Sequence, residues 1–152
     1  MKEKLSDLLE ESIELELNAG RLYQIYSEFF TEDRGFWHRM SMEEMNHASL
    51  LKSARNFLAV GKFPPSMLCP DPGPIRDASA LIKEKIAQYR DKRPSRPEAY
   101  RFALELETSA AEQHMQDIMH DTGDDKVLEI FKKLAGDDLD HAERIKALIN
   151  SI

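Results

Sequence analysis

Trp37-His38-Arg39-Met40-Ser41-Met42-Glu43-Glu44-Met45-Asn46-His47-Ala48-Ser49-Leu50-Leu51 is the stretch whose reading decides the fold. Trp37, Met40, Glu44, His47, Leu51, Ala54 and Leu58 step alternately by three and four residues, the spacing of an inward-facing helix seam. Within that seam stand a carboxylate and an imidazole three residues apart, hence on one helix face. Glu44-Met45-Asn46-His47-Ala48 is echoed by Asp138-Leu139-Asp140-His141-Ala142, and His141 lies 94 residues after His47.

Working outward, helix-period reading predicts four long helices, at about 4–31, 35–60, 96–122 and 124–151. The first carries Leu5, Leu9, Ser12, Glu16, Ala19, Tyr23, Tyr26 and Phe30 on one stripe. The third opens at Ser95, which has capping-box spacing to Glu98 and Pro97 in the first turn. It continues through Tyr100, Ala103, Glu107, Ala110, His114 and Ile118. The fourth reads Val127, Phe131, Leu134, Asp138, His141, Ile145, Leu148 and Ile152. Short turns pair the first helix with the second and the third with the fourth as antiparallel hairpins. Between the pairs runs a crossover, 61–95, proline-rich at its start and holding a shorter helix at about 77–90. Such a connection is required when the second and third helices run parallel. The expected fold is therefore all-α: one domain, 1–152, built as a four-helix bundle of two antiparallel pairs. Glu14-Leu15-Glu16 with Tyr23 also echoes Glu105-Leu106-Glu107 with His114, so a pseudo-symmetric site at the bundle centre is expected.

The chemistry follows from which face the polar residues occupy. Glu10, Glu14, Glu105 and Glu112 fall on solvated faces. Glu16, Glu44, Glu107 and Asp138 fall on apolar stripes, where an unpaired carboxylate costs several kcal/mol. Four together also repel one another. Two divalent ions neutralise four carboxylates and leave His47 and His141 neutral and free to coordinate. Taken singly, a histidine on an apolar stripe is more often a hydrogen-bonded core residue, and a stripe glutamate can reach an arginine such as Arg21 or Arg101. The set of six is what points to metal. Oxygen-rich ligands with one imidazole per ion suit iron or manganese; zinc is a further option, although structural zinc more often recruits thiolates. Tyr23 and His114 are expected just outside the ligands. His38 and His120 are read as surface residues, and Met40, Met42, Met45, Met115 and Met119 as core filler.

Composition narrows the classes. A 32% charged and 41% hydrophobic chain suits amphipathic helices, and a formal net charge of −7 argues against nonspecific nucleic-acid binding. One cysteine, Cys69, allows neither an intrachain disulfide nor a four-cysteine metal centre, and it is read as a bystander. With no apolar run of bilayer length and no secretory signal, the expected setting is the cytoplasm, without a membrane partner.

Glu16 with Tyr23, Glu44-x-x-His47, Glu107, and Asp138-x-x-His141, in that order around a long crossover, resemble the ferritin-like superfamily and most closely its rubrerythrin branch, over essentially the whole chain. The resemblance implies a carboxylate-bridged di-iron oxidoreductase consuming peroxide or dioxygen, or oxidising ferrous iron. It makes Glu16 and Glu107 terminal ligands, Glu44 and Asp138 bridges, and His47 and His141 ligands of one ion each. It also implies a homo-oligomer, with a dimer favoured. Three features depart from the family pattern. Asp138 stands where glutamate is usual, Ala110 stands where an additional glutamate is usual, and rubredoxin-like cysteine pairs are missing. Electrons for catalysis must then come from a separate donor. The alternative class is a non-catalytic metal-binding or iron-storage bundle.

Overall fold

The alternating three-and-four spacing becomes helix wherever the computed structural model describes the chain, namely residues 2–59, 73–109 and 126–151, with the side chains of 2–6, 57–59, 126–132, 134–136, 138 and 139 outside that description. Five α-helices result: α1 Lys2–Phe29, α2 Arg34–Ala59, α3 Gly73–Tyr89, α4 Arg96–Glu107 and α5 Lys126–Asn150. The all-α expectation holds among the described residues, and none of their helices is long and apolar enough to cross a membrane.

The break after the first stripe is a single 3-10 turn, Thr31–Asp33, which reverses the chain so that α2 runs back along α1. Ser41 Oγ donates to the Gly20 carbonyl at 2.8 Å, and Arg55 meets Glu10 at 2.8 Å further down the pair. At Gly20 a Cβ would lie 2.7 Å from Met45 Cε, the movable end of a partly exposed side chain. Helix α3 lies beside α1 and runs the same way. Arg76 meets Glu11 at 3.1 Å, Asn18 donates to Ser79 at 2.6 Å, and the Tyr26 and Tyr89 hydroxyls are 2.8 Å apart.

Ser95 caps α4 by accepting from the Glu98 backbone N–H at 3.2 Å, and Pro97 needs no hydrogen bond in that first turn. Helix α4 runs antiparallel to α1, tied at one end by Asp33 to Arg96 and at the other by Tyr23 to Glu107. Helix α5 runs antiparallel to α2, through Asp137 to His47 and Arg144 to Glu43. It follows that α2 and α4 point the same way. The third helix was expected to continue to 122, but α4 ends at Glu107. Thr108 adopts φ −104° and ψ 10°, and its hydroxyl bonds back to the Leu104 carbonyl at 2.8 Å. A β-branched residue with a competing hydroxyl is a natural point for the helix to let go. Residues 110–122 of that expected helix lie outside the described residues.

The seams lie inward. Leu9, Tyr23, Tyr26, Trp37, Met40, Leu51, Ala54, Tyr100, Ala103 and Ile145 are buried, and a side chain of leucine size contributes about 1.5–3 kcal/mol when fully covered. Met42 and Met45, expected in the core, are instead 59% and 37% exposed. They sit between the seam positions Met40, Glu44 and His47, so the helix turns them outward. Asp33, in the turn between α1 and α2, is buried. Arg96 Nε and Nη2 each donate to it at 2.7 Å, and the Tyr100 hydroxyl donates as well. Burial would raise this carboxyl, but Arg96 and Tyr100 outweigh it and hold the pKa below the ordinary value. The clamp fixes the α1–α2 turn against the start of α4.

Candidate metal centre

Each helix of the bundle delivers its polar seam residues at the same level. Glu16 comes from α1, Glu44 and His47 from α2, Glu107 from α4 and His141 from α5, and all five are buried to 6% exposure or less. They form two groups whose ligand atoms lie within 4.8 Å of one another: Glu16, Glu44 and His47, and Glu44, Glu107 and His141. Glu44 belongs to both. Its Oε2 is 3.6 Å from His47 Nδ1, while its Oε1 is 2.8 Å from His141 Nδ1. Glu16 Oε2 completes the first group at 3.5 Å from His47 Nδ1, and Glu107 Oε1 the second at 3.7 Å from His141 Nδ1. The two imidazoles face each other across Glu44, with ring centroids 5.5 Å apart and planes 22° from parallel.

These separations suit cations. Two donors each about 2.1 Å from one ion, at near-octahedral to tetrahedral angles, stand about 3.0–3.4 Å apart. Most of the observed spacings need to change by only a few tenths of an ångström. Several donor atoms also lack an aligned hydrogen bond among the described residues: Glu44 Oε1, Glu107 Oε2 and His141 Nδ1. Buried polar atoms without an aligned partner are costly, and these three belong to one group, that of Glu44, Glu107 and His141.

The opposite edge of each imidazole is held by an acid from the other helix. His47 Nε2 donates to Asp137 Oδ2 at 3.0 Å, and His141 Nε2 lies 3.2 Å from Glu43 Oε2. Asp137 is the residue before Asp138, and Glu43 the residue before Glu44, so α2 and α5 exchange acids reciprocally. For His47, a carboxylate accepting from Nε2–H would leave the Nδ1 lone pair aimed at the centre once the ring is neutral. Arg144 Nη2 braces Glu43 at 2.8 Å, and Lys133 Nζ braces Asp137 at 3.2 Å. On the remaining side, Tyr23 donates to Glu107 Oε1 at 2.6 Å.

Electrostatics show what the donor set does without cations. Burial pulls the His47 imidazole down, but the facing Glu16 and Glu44 carboxylates outweigh it and push the pKa up to about 11. His141 is likewise lowered by burial and raised by Glu107 and Glu44, ending at about 10. Burial raises Glu44 as well, yet Glu16 and the two imidazoles hold it far below the ordinary carboxylate range. Glu107 moves the other way, raised by burial and by the charge of Glu44. The cluster thus gathers positive charge onto its imidazoles when no other cation is bound.

Of the eight residues singled out from sequence, six are brought together: Glu16, Glu44, His47, Glu107, His141 and Tyr23. Asp138 lies on α5 three residues before His141, but its side chain is outside the described residues, and His114 lies outside them altogether. Glu43, Asp137 and Arg144 were not singled out. The signal for the first two was available: an acidic doublet, Glu43-Glu44 and Asp137-Asp138, precedes each histidine. Glu105 is exposed, whereas Glu107 is buried. No protein-family model, curated protein or solved structure matches the chain.

Proposed function

We propose that the chain is a ferritin-like bundle of rubrerythrin type that binds two iron ions and reacts with peroxide or dioxygen, or oxidises ferrous iron. The observation that carries this reading is Glu44, one buried carboxylate shared by two carboxylate–histidine groups. In it, Glu16 and His47 would hold one ion and Glu107 and His141 the other, with Glu44 shared between them and Asp138 as the fourth carboxylate. Oxygen donors with one imidazole per ion favour iron or manganese over a thiolate-seeking metal.

When bound, a ferrous pair supplies two electrons to an oxidant. The chain's own groups prepare the place. Asp137 accepts from His47 Nε2, Glu43 Oε2 lies 3.2 Å from His141 Nε2, and Tyr23 fixes the orientation of Glu107, so that each imidazole, once neutral, would turn its Nδ1 to an ion. Burial of all five described ligands keeps bulk water from the reacting atoms and strengthens their charges. The sequence itself has one cysteine and no rubredoxin-like pairs, so the electrons would come from outside these residues.

Anaerobic loading with ferrous iron, followed by metal analysis and stopped-flow mixing with peroxide, tests the reading. Two irons per chain and rapid formation of ferric absorbance are expected. Two irons that do not react assign the chain to metal binding or storage, and a folded chain that takes up no iron overturns the proposal.

A further inference from the structure

All four tyrosines of the chain and its single tryptophan belong to one connected cluster. It begins at the metal centre, where Tyr23 donates to Glu107 at 2.6 Å. Tyr23 stacks on Trp37 with centroids 5.4 Å apart, and Trp37 meets Tyr26 edge-on at 5.0 Å. Tyr26 meets Tyr89 at 5.9 Å, their hydroxyls 2.8 Å apart. Tyr100 stacks on the other side of Trp37 at 6.0 Å. Tyr23, Tyr26 and Trp37 are fully buried, and only at Tyr89 does the series reach the surface.

Tyr89 forms part of the wall of a cleft of about 590 Å³. Lys85, Lys92, Arg93 and Arg101 give the cleft four cations against Glu98 and Glu105, a local positive excess on a chain of net charge −7. Phe102 supplies an apolar wall with Lys85 over its ring at 5.4 Å, and Arg93 stacks on Phe29 at 4.3 Å. The volume is that of a small-molecule site. The rings of Tyr89 and Phe102 beside a basic rim suit a ring bearing negative charge.

We propose, building on the two-iron reading above, that the tyrosines and Trp37 form a relay for single electrons between the metal centre and this cleft, where an anionic hydroquinone-type reductant binds against Tyr89. The rings are in contact at each step, so a series of short hops replaces one long transfer. Dioxygen needs four electrons and four protons to become two waters. The ferrous pair gives two electrons, and one hydroquinone gives the other two with two protons as it becomes the quinone; solvent supplies the remaining two protons.

The test needs no metal, so it fails or succeeds independently of the iron reading. Anthraquinone-2-sulfonate is a flat anionic ring whose excited triplet takes an electron from phenols. Bound to the metal-free protein and excited by a laser flash, it should oxidise Tyr89, and an indolyl radical should follow. That radical can come only from Trp37, which is fully buried and out of reach of direct collision. Tyr89→Phe, which keeps the ring but loses the readily oxidised phenol, should suppress the indolyl signal. Lys92→Glu with Arg101→Glu should weaken probe binding by roughly tenfold, the size of two lost surface ion pairs. Probe that does not bind, an absent indolyl radical in the wild-type protein, or an indolyl yield unchanged in Tyr89→Phe each overturns the relay.

Discussion

Replacing Asp137 should alter one of the two proposed metal positions and spare the other, because α2 and α5 exchange acids across the centre. Asp137 Oδ2 accepts from His47 Nε2 at 3.0 Å and touches no other ligand described at the centre. In Asp137→Asn the amide oxygen can still accept that hydrogen bond, so the tautomer survives and only the charge is lost. Its side chain is 37% exposed and shared with Lys133 at 3.2 Å, which places the loss at the low end of the range for such supports. That is about tenfold in affinity, or ~1.4 kcal/mol. Asp137→Leu removes the acceptor altogether, and the loss should approach about a hundredfold. Glu43→Gln should act on the His141 position instead, and more weakly than Asp137→Asn, since Arg144 at 2.8 Å already draws on the Glu43 charge. Anaerobic calorimetric titration with ferrous or manganous ion resolves the two binding steps. One step should shift in Asp137→Asn and the other in Glu43→Gln. Equal shifts of both steps in either variant, or none in Asp137→Leu, would refute the crossed support.

Glu107→Gln should weaken metal binding by about two orders of magnitude, the size of a lost charged contact of ~3 kcal/mol, whereas Glu105→Gln on the exposed face should leave it within about a factor of two; metal titration decides. Because both imidazoles are raised in the metal-free fold, loading must expel their protons. Apparent affinity should climb from pH 6 to pH 9, by up to about tenfold per unit for each imidazole freed. The same shifts govern stability without metal. Folded values of about 11 for His47 and about 10 for His141 exceed the ordinary 6.5, so their contribution is complete below that value and is lost as pH rises through the folded values. Thermal melts of metal-free protein should therefore fall steadily from pH 6.5 to pH 10, and a flat profile would count against the cluster. Tyr100→Phe removes a buried hydrogen bond to Asp33 and should cost about 1.5–3 kcal/mol in denaturant unfolding, with metal binding unchanged.

Periodicity made the seams legible, because a helix turned toward a core repeats apolar residues by threes and fours, and Glu16, Glu44, Glu107, His47 and His141 interrupt that repeat where nothing polar belongs. The supports were harder to see. Glu43 and Asp137 stand one position off the seam, where a carboxylate usually meets solvent, and only the reciprocal approach of α2 and α5 brings each to the other helix's histidine. Asp33 and Arg96 are 63 residues apart, and no local pattern announces their pairing. Charge is divided unevenly across the cluster: Glu107 is raised and Glu44 lowered, while both imidazoles are raised. Distances to both rings were needed to see it. The end of α4 at Glu107 was missed for a related reason, since the backbone bond of the Thr108 hydroxyl competes with a stripe that reads as continuous.

The central claim is that one carboxylate, Glu44, stands between two metal ions. Anomalous diffraction from crystals grown with manganous or ferrous ion tests it directly. Two peaks per chain are expected, about 3.5–4 Å apart, one beside His47 Nδ1 and one beside His141 Nδ1, with Glu44 touching both. A single peak, or two peaks of which either leaves Glu44 untouched, would contradict it.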